Sequence, residues 1–255
     1  SRIYVDKTGL IEYTNSVLDT TNAYICNSRP RRFGKSYAAN MLAAYYSKGA
    51  ESEQMFSGLE ISKNTDFKKH LNKYDVIHID IQWFLTNCDD ADNVVPFITK
   101  SVLDELREIY PEFLPLEVTA LPDALSRIKN CTEQKFVIII DEWDVLIRDV
   151  AANKKVQSDY INFLRGMFKG TEPTKYIRLV YLTGILPIKK EKTQSALNNF
   201  DEFTMLQADE LAPYIGFTEN EVSMLCEKYE RDFDKVKNGM MDISSETRRC
   251  IIPGV

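Results

Sequence analysis

Two short stretches hold residues whose types and spacing could do chemistry. One is Arg29-Pro30-Arg31-Arg32-Phe33-Gly34-Lys35-Ser36. The other is Asp141-Glu142, at the end of the apolar run Phe136 to Ile140. A Gly-Lys-Ser turn between a strand and a helix can hold phosphate, because backbone N–H groups and the helix N-terminus attract an anion. The lysine would then sit on the β and γ phosphates, and the serine hydroxyl would join a Mg²⁺ shell. An Asp-Glu pair at a strand tip can supply the complement. The aspartate holds Mg²⁺ through water, and the glutamate orients or deprotonates the attacking water. This reading makes residues 29 to 37 (Arg29 through Ser36, with Tyr37) the nucleotide-binding segment. Ser36 and Asp141 are the metal-holding residues, and Lys35, Glu142 and Thr183 the catalytic ones.

The phosphate motif is incomplete when taken alone. Its usual form is Gly, four residues, then Gly-Lys-Ser/Thr, and Arg29 stands where the first glycine belongs. A solvated basic turn capping a helix would carry the same letters. Asp141-Glu142 could likewise be two exposed acids in the turn after a buried strand. Order and spacing favour the joint reading. The lysine-serine turn precedes the acidic pair by about 105 residues with a strand between, as suits an ATPase whose sheet inserts a strand between the two motifs. Thr183 follows Tyr176 to Leu182, a further expected strand, where a polar sensor of the γ-phosphate would lie; a plain strand-ending Thr-Gly turn also explains it. Asp80, near the end of Val76 to Ile81, could face the same site. Arg148, Arg165 and Arg178 are candidates for an arginine that stabilises the transferred phosphoryl group, though each reads more simply as a surface ion-pair partner.

These groups need strands that end, and helices that begin, at one edge of a sheet. Strands are expected over Ala23 to Asn27, Val76 to Ile81, Phe136 to Ile140 and Tyr176 to Leu182. The all-apolar third run suits a strand covered on both faces. Helices are expected over Ser36 to Ser47, Val94 to Ile109, Asp123 to Asn130 and Gln157 to Phe168, and from Thr218 onward. Alternating strands and helices imply an α/β fold, a three-layer P-loop domain around a mainly parallel sheet. Ser1 to Ile11 reads as the end of a segment that starts earlier. We expect a nucleotide domain over 1–205, with its core from about residue 10, and a short C-terminal helical segment over 206–237.

Bulk properties fit this picture. The 255 residues suffice for one α/β domain with a substantial core, and 44% hydrophobic with 27% charged residues is an ordinary globular composition. A net charge of −6 and a pI near 5.2 argue against a broadly basic nucleic-acid surface, although Arg29, Arg31 and Arg32 form a local basic patch. No run is long enough to cross a bilayer, and no basic-then-apolar leader opens the chain. No membrane role and a cytoplasmic location are therefore expected. Five cysteines without a Cys-x-x-Cys pair, and histidines only at 70 and 78, make reduced, mostly packed thiols a better reading than a zinc site.

The chain resembles the bacterial AAA-ATPase-like family. The matching strings are Tyr4-Val5-Asp6-Lys7-Thr8, Ser28 through Ser36, Ile140-Asp141-Glu142-Trp143-Asp144, Leu182-Thr183-Gly184-Ile185 and Gly216 through Val222, spanning residues 4 to about 237. The Arg-Pro-Arg-Arg-Phe-Gly-Lys-Ser string is the most specific, and the family shows the same absence of the first glycine. Trp143 stands where tyrosine is more usual. The resemblance implies nucleotide roles for Lys35, Ser36, Asp141 and Glu142, with ATP and Mg²⁺ as cofactors. It also implies a C-terminal PD-(D/E)XK nuclease-like module, missing here, which a nucleotide-driven switch would control and through which nucleic acid would be met. Assembly into a homo-oligomer stays open.

After Lys237 the sequence departs from the family, which continues Trp-Tyr-Asp-Gly-Tyr and later Tyr-Asn-Pro-Trp-Ser. Back-translating Asn238-Gly239-Met240-Met241-Asp242 and the start of Ile243 as AAT GGT ATG ATG GAT AT, and reading from the third base, restores the first string. Cys250-Ile251-Ile252-Pro253-Gly254 and the start of Val255, as TGT ATA ATC CCT GGA GT, restore the second in the same phase. Residues 238–255 are therefore expected to be an out-of-frame tail.

Two other readings compete. Pro122-Asp123 with Glu133-Gln134-Lys135 formally fits a metal-dependent nuclease motif, but Asp123 falls in a helical stretch and Lys135 at the start of the Asp141 strand. A nucleotide-binding switch with little or no hydrolysis is the second alternative. Glu142 argues for hydrolysis, since binding alone needs no water-orienting acid.

Overall fold

The computed structural model describes residues 4–150, 153–188 and 197–241, with side chains described through residue 237. The expected tail therefore lies outside the described residues from 242 onward. Its first four residues, 238–241, lie in the helix Phe233–Met241.

Five parallel strands form one sheet: β1 (Tyr24–Ser28), β2 (Asp75–Asp80), β3 (Phe136–Asp141), β4 (Ile177–Gly184) and β5 (Asp201–Phe203), in the order β2-β3-β4-β1-β5. Every residue of β1 and β3 is buried, so helices cover both faces and the architecture is a three-layer α/β sandwich. The strand inserted between the two motif-bearing strands is β4, which arrives late in the chain. The sequence-intervening β2 lies at the sheet edge instead. Register brings Asp80 beside Asp141, and Asn27 beside Thr183, so the polar strand ends share one rim.

The helices are α1 (Gly9–Val17), α2 (Lys35–Tyr46), α3 (Glu53–Phe56), α4 (Phe67–His70), α5 (Ile81–Thr86), α6 (Val94–Ile109), α7 (Leu121–Thr132), α8 (Val145–Arg148), α9 (Lys154–Phe168), α10 (Pro173–Tyr176), α11 (Glu219–Lys228) and α12 (Phe233–Met241). Helix α2 packs on β2, β3 and β4 and buries Ala38, Ala39, Met41, Leu42, Tyr45 and Tyr46, which fixes the lysine-serine turn against the sheet rim. Val94, Ile98, Val102, Leu103 and Leu106 make the buried stripe of α6, the spacing of one helical face.

Helices α3, α4, α8 and α10 have no counterpart in the sequence expectation, and three further differences stand beside them. Helix α1 is rich in weak helix formers, and burying Leu10, Ile11 and Thr14 holds it in place. The run expected as strand through Ile81 stops at Asp80, whose side chain accepts the Trp83 N–H and starts α5. Strand β5 is three residues long and has no apolar alternation to announce it. No helix among the described residues is long and apolar enough to cross a membrane.

The segment after residue 205 returns to the phosphate-loop side of the sheet. Lys7 Nζ pairs with Glu221 Oε2 at 2.6 Å and donates to the Pro213 carbonyl at 2.6 Å. Glu221 also completes a capping box with Thr218 at the start of α11. A Cβ on Gly216 would come within 2.7 Å of the Phe33 ring, so this glycine lets the segment approach the loop.

Candidate functional site

Helix α2 begins without a side-chain cap, and no acid lies in its first turn. Its N-terminal amides are therefore available to an outside anion. Gly34 caps it at φ +79°, a conformation glycine adopts freely, and a Cβ there would meet nothing within 4 Å; backbone angle rather than crowding sets the residue. Lys35 is almost wholly buried. Its Nζ donates to the Pro30 carbonyl at 3.2 Å and lies 3.7 Å from Glu142 Oε1.

Facing it is the tip of β3. Asp141 Oδ1 accepts from the Thr183 hydroxyl in a short hydrogen bond and from the Glu142 backbone N–H at 3.0 Å. Glu142 turns the chain at φ +53°, an uncommon angle for a non-glycine residue and of the kind that clusters at functional sites. Its other oxygen, Oε2, accepts from Arg148 Nη2 at 3.2 Å. Burial pushes the Glu142 carboxyl above its ordinary pKa, Lys35 opposes this, and Asp144 and Asp141 add to it.

Between these banks lies a cleft of about 530 Å³, lined by Arg31, Arg32, Gly34, Lys35, Ser36 and Tyr37 on one side and by Asp80, Gln82, Asp141, Glu142 and Arg148 on the other. The lysine-serine turn and the acidic tip thus meet around one cavity. Ser36 and Asp141 give it hard oxygen donors. Both hydrogen bonds to Asp141 fall on Oδ1, which leaves Oδ2 for a cation. Two such ligands suit Mg²⁺, which usually takes one or two protein oxygens beside phosphate and water.

Four of the assigned residues do not line the cleft. The Arg29 side chain is fully buried and donates to the carbonyls of Ser28 at 3.0 Å and Phe203 at 2.8 Å, anchoring the loop to β5 rather than reaching the cleft. Phe33 packs inward against Gly216. Pro30 contributes its carbonyl to Lys35 and does not line the cleft. Thr183 is fully buried, with its hydroxyl donated to Asp141.

Of the three arginines, Arg148 lines the cleft, while Arg178 pairs with Asp19 at the opposite end of the sheet and Arg165 donates to Asn162 at 2.7 Å. The nuclease reading does not assemble either. Asp123 pairs with Arg127 at 3.1 Å, Glu133 with Lys129 at 2.9 Å, and Lys135 with Asp19 at 2.9 Å.

Two residues escaped sequence reasoning. Gln82 reaches the cleft only because β2 stops at Asp80. Asp144 is fully buried and accepts the backbone N–H groups of Ile185 at 3.1 Å and Leu186 at 2.8 Å, tying the turn after β4 to the turn after β3. Gly184 makes that approach feasible, since a Cβ there would come within 2.6 Å of Trp143 and 2.7 Å of Asp144 Oδ1. The signal for Asp144 was an acid directly after Trp143, at the end of the Ile140-Asp141-Glu142-Trp143-Asp144 string.

Residues 1–193 match the family model described as "Predicted AAA-ATPase", and the chain belongs to this AAA-ATPase-like family. Among curated proteins it is similar to "Uncharacterized protein in vnfD 5'region" of Azotobacter chroococcum mcd 1, 24% identical over 226 residues. That match takes in 86% of this chain and 40% of the length of that relative. Among solved structures there is a distant likeness to the Aeropyrum pernix ORC2 protein (ADPNP-ADP complexes), at 8% identity and a TM-score of 0.41, covering 89% of this chain and 53% of that one.

Proposed function

We propose that this chain binds ATP with Mg²⁺ in the cleft between α2 and the β3 tip, and hydrolyses it. The observation that carries the reading is the approach of Lys35 Nζ to within 3.7 Å of Glu142 Oε1, since it joins two motifs about 105 residues apart around one cavity. The amides at Gly34 and the start of α2 bind the phosphates, and Lys35 neutralises their charge. Ser36 and Asp141 would hold Mg²⁺, which supplies charge neutralisation on the phosphate oxygens when bound. Thr183 holds Asp141 in place. Glu142 orients the water and takes its proton as the water oxygen bonds to the terminal phosphorus and the bridging P–O bond breaks, releasing ADP and inorganic phosphate.

An aromatic cavity of about 260 Å³ adjoins the cleft and shares Arg32, Gly34 and Tyr37 with it. Tyr4, Tyr214 and Phe217 add further walls. It gives a planar base somewhere to stack, which favours a nucleotide over a bare polyphosphate. In keeping with the family resemblance, the nucleotide cycle would serve as a regulatory switch for a nuclease-like module.

Binding with little hydrolysis is the second reading. Glu142 favours it to the extent that both of its oxygens lie near cations, one near Lys35 and the other on Arg148. ATP turnover by wild type, Lys35→Ala and Glu142→Gln separates the readings. We expect turnover that both substitutions abolish, with ATP binding kept by Glu142→Gln. Equal, near-zero rates with retained binding in wild type and Glu142→Gln would favour the second reading, and no ATP binding by wild type would refute both.

A further inference from the structure

We propose that Arg148 is the arginine that stabilises the terminal phosphate during hydrolysis, supplied from within the same chain, and that it holds Glu142 until nucleotide arrives. This inference rests on the nucleotide reading above and adds to it the source of the positive charge.

Arg148 ends α8, one short helix beyond the acidic tip, and lines the cleft opposite the lysine-serine turn. Three carboxylates surround its guanidinium: Glu142 Oε2 at 3.2 Å from Nη2, Asp144 Oδ2 at 3.6 Å from Nε, and Asp149 Oδ1 at 3.4 Å from Nε. They differ in what else they do. Asp144 is fully buried and committed to two backbone amides, so it stays fixed and keeps the arginine on this bank. Among the described residues, the Glu142 carboxylate pairs with cations alone, Lys35 and Arg148, and both line the same cleft.

A triphosphate entering the cleft brings several negative charges to those two cations and competes directly with the Glu142 carboxylate. Lys35 turns to the phosphates, and the planar fork of Arg148 fits terminal phosphate oxygens. Glu142 loses its cation partners at the moment a water needs orienting. One exchange therefore releases the base and places a positive charge where negative charge develops in phosphoryl transfer. The other two arginines weighed for this role are held elsewhere, Arg178 on Asp19 and Arg165 on Asn162.

The test compares wild type, Arg148→Ala, Arg148→Lys and Glu142→Gln for ATP turnover, ATP affinity and thermal unfolding, with an equimolar mixture of Arg148→Ala and Glu142→Gln as a further arm. We expect Arg148→Ala to lower kcat by at least about 10²-fold with ATP affinity and unfolding temperature close to wild type, since the charge acts chiefly in the transition state. Arg148→Lys keeps the charge but not the fork and should fall between; if Arg148→Ala does not fold, a rate at least about tenfold below wild type in Arg148→Lys, at retained affinity, carries the same conclusion. The mixture should stay inactive, and specific activity should not depend on protein concentration. Wild-type turnover in Arg148→Ala or Arg148→Lys overturns the proposal, as does recovery of activity in the mixture, which would place the arginine across two copies. Loss of affinity and unfolding temperature together with rate would show a structural role and also overturn it. Failure of wild type to bind ATP would instead refute the nucleotide reading itself.

Discussion

The two ends of the sheet carry the same three kinds of charged group and put them to different use. At the amino end, Asp19 bridges Lys135, at 2.9 Å, and Arg178, in a short direct contact, and the Arg178 guanidinium also lies 4.6 Å above the Tyr74 ring. At the carboxyl end, Glu142 bridges Lys35 at 3.7 Å and Arg148 at 3.2 Å. The first set is closed on itself and fastens the turn after α1 to the starts of β3 and β4. The second is looser, sits on a left-handed glutamate and opens on the cleft. An anion can enter between its members, which is what separates a site from a clasp.

The largest expected contrast comes from removing the lysine at each end. Lys35→Ala should weaken ATP binding by at least about tenfold, about 1.4 kcal/mol, and abolish turnover. Lys135→Ala should leave both unchanged; an isothermal titration of each variant decides it. Glu142→Gln comes next, with turnover down by at least about 10²-fold and ATP affinity retained, read in a steady-state phosphate-release assay. Gly184→Ala sharpens the comparison from the side of folding. Its Cβ would crowd Trp143 and Asp144, so denaturant unfolding should show a loss of about 1–3 kcal/mol. The smallest effect belongs to Asp19→Ala. Its ion pairs are part-exposed and screened, so stability should fall by about 0–1 kcal/mol, with the rate of ATP turnover untouched.

Much of this arrangement was legible in the letters. Phe136 to Ile140 could hardly be anything but a covered strand, Val94 to Ile109 keeps one apolar helical face along its whole length, and Gly34-Lys35-Ser36 and Asp141-Glu142 each sit where a strand meets a turn. What stayed hidden depends on partners distant in the chain. Strand β5 exists because β1 needs a neighbour, and Arg29 turns inward because the Phe203 carbonyl awaits it. Thr183 looked like a phosphate sensor because its place on the rim is visible in sequence, whereas the direction of its hydroxyl is not. Asp144 and Gln82 follow the same rule: the first is defined by amides about 40 residues later, the second by where β2 stops.

The central claim is that the lysine-serine turn and the aspartate-glutamate tip share one metal-bound triphosphate. It is tested most directly by titrating ATP into wild type and Asp141→Asn, each with and without Mg²⁺. We predict that Mg²⁺ tightens ATP binding to wild type by at least about tenfold, and that Asp141→Asn loses this gain while keeping its metal-free affinity. An Mg²⁺ effect that survives Asp141→Asn undiminished, or no Mg²⁺ effect on wild type, would contradict it.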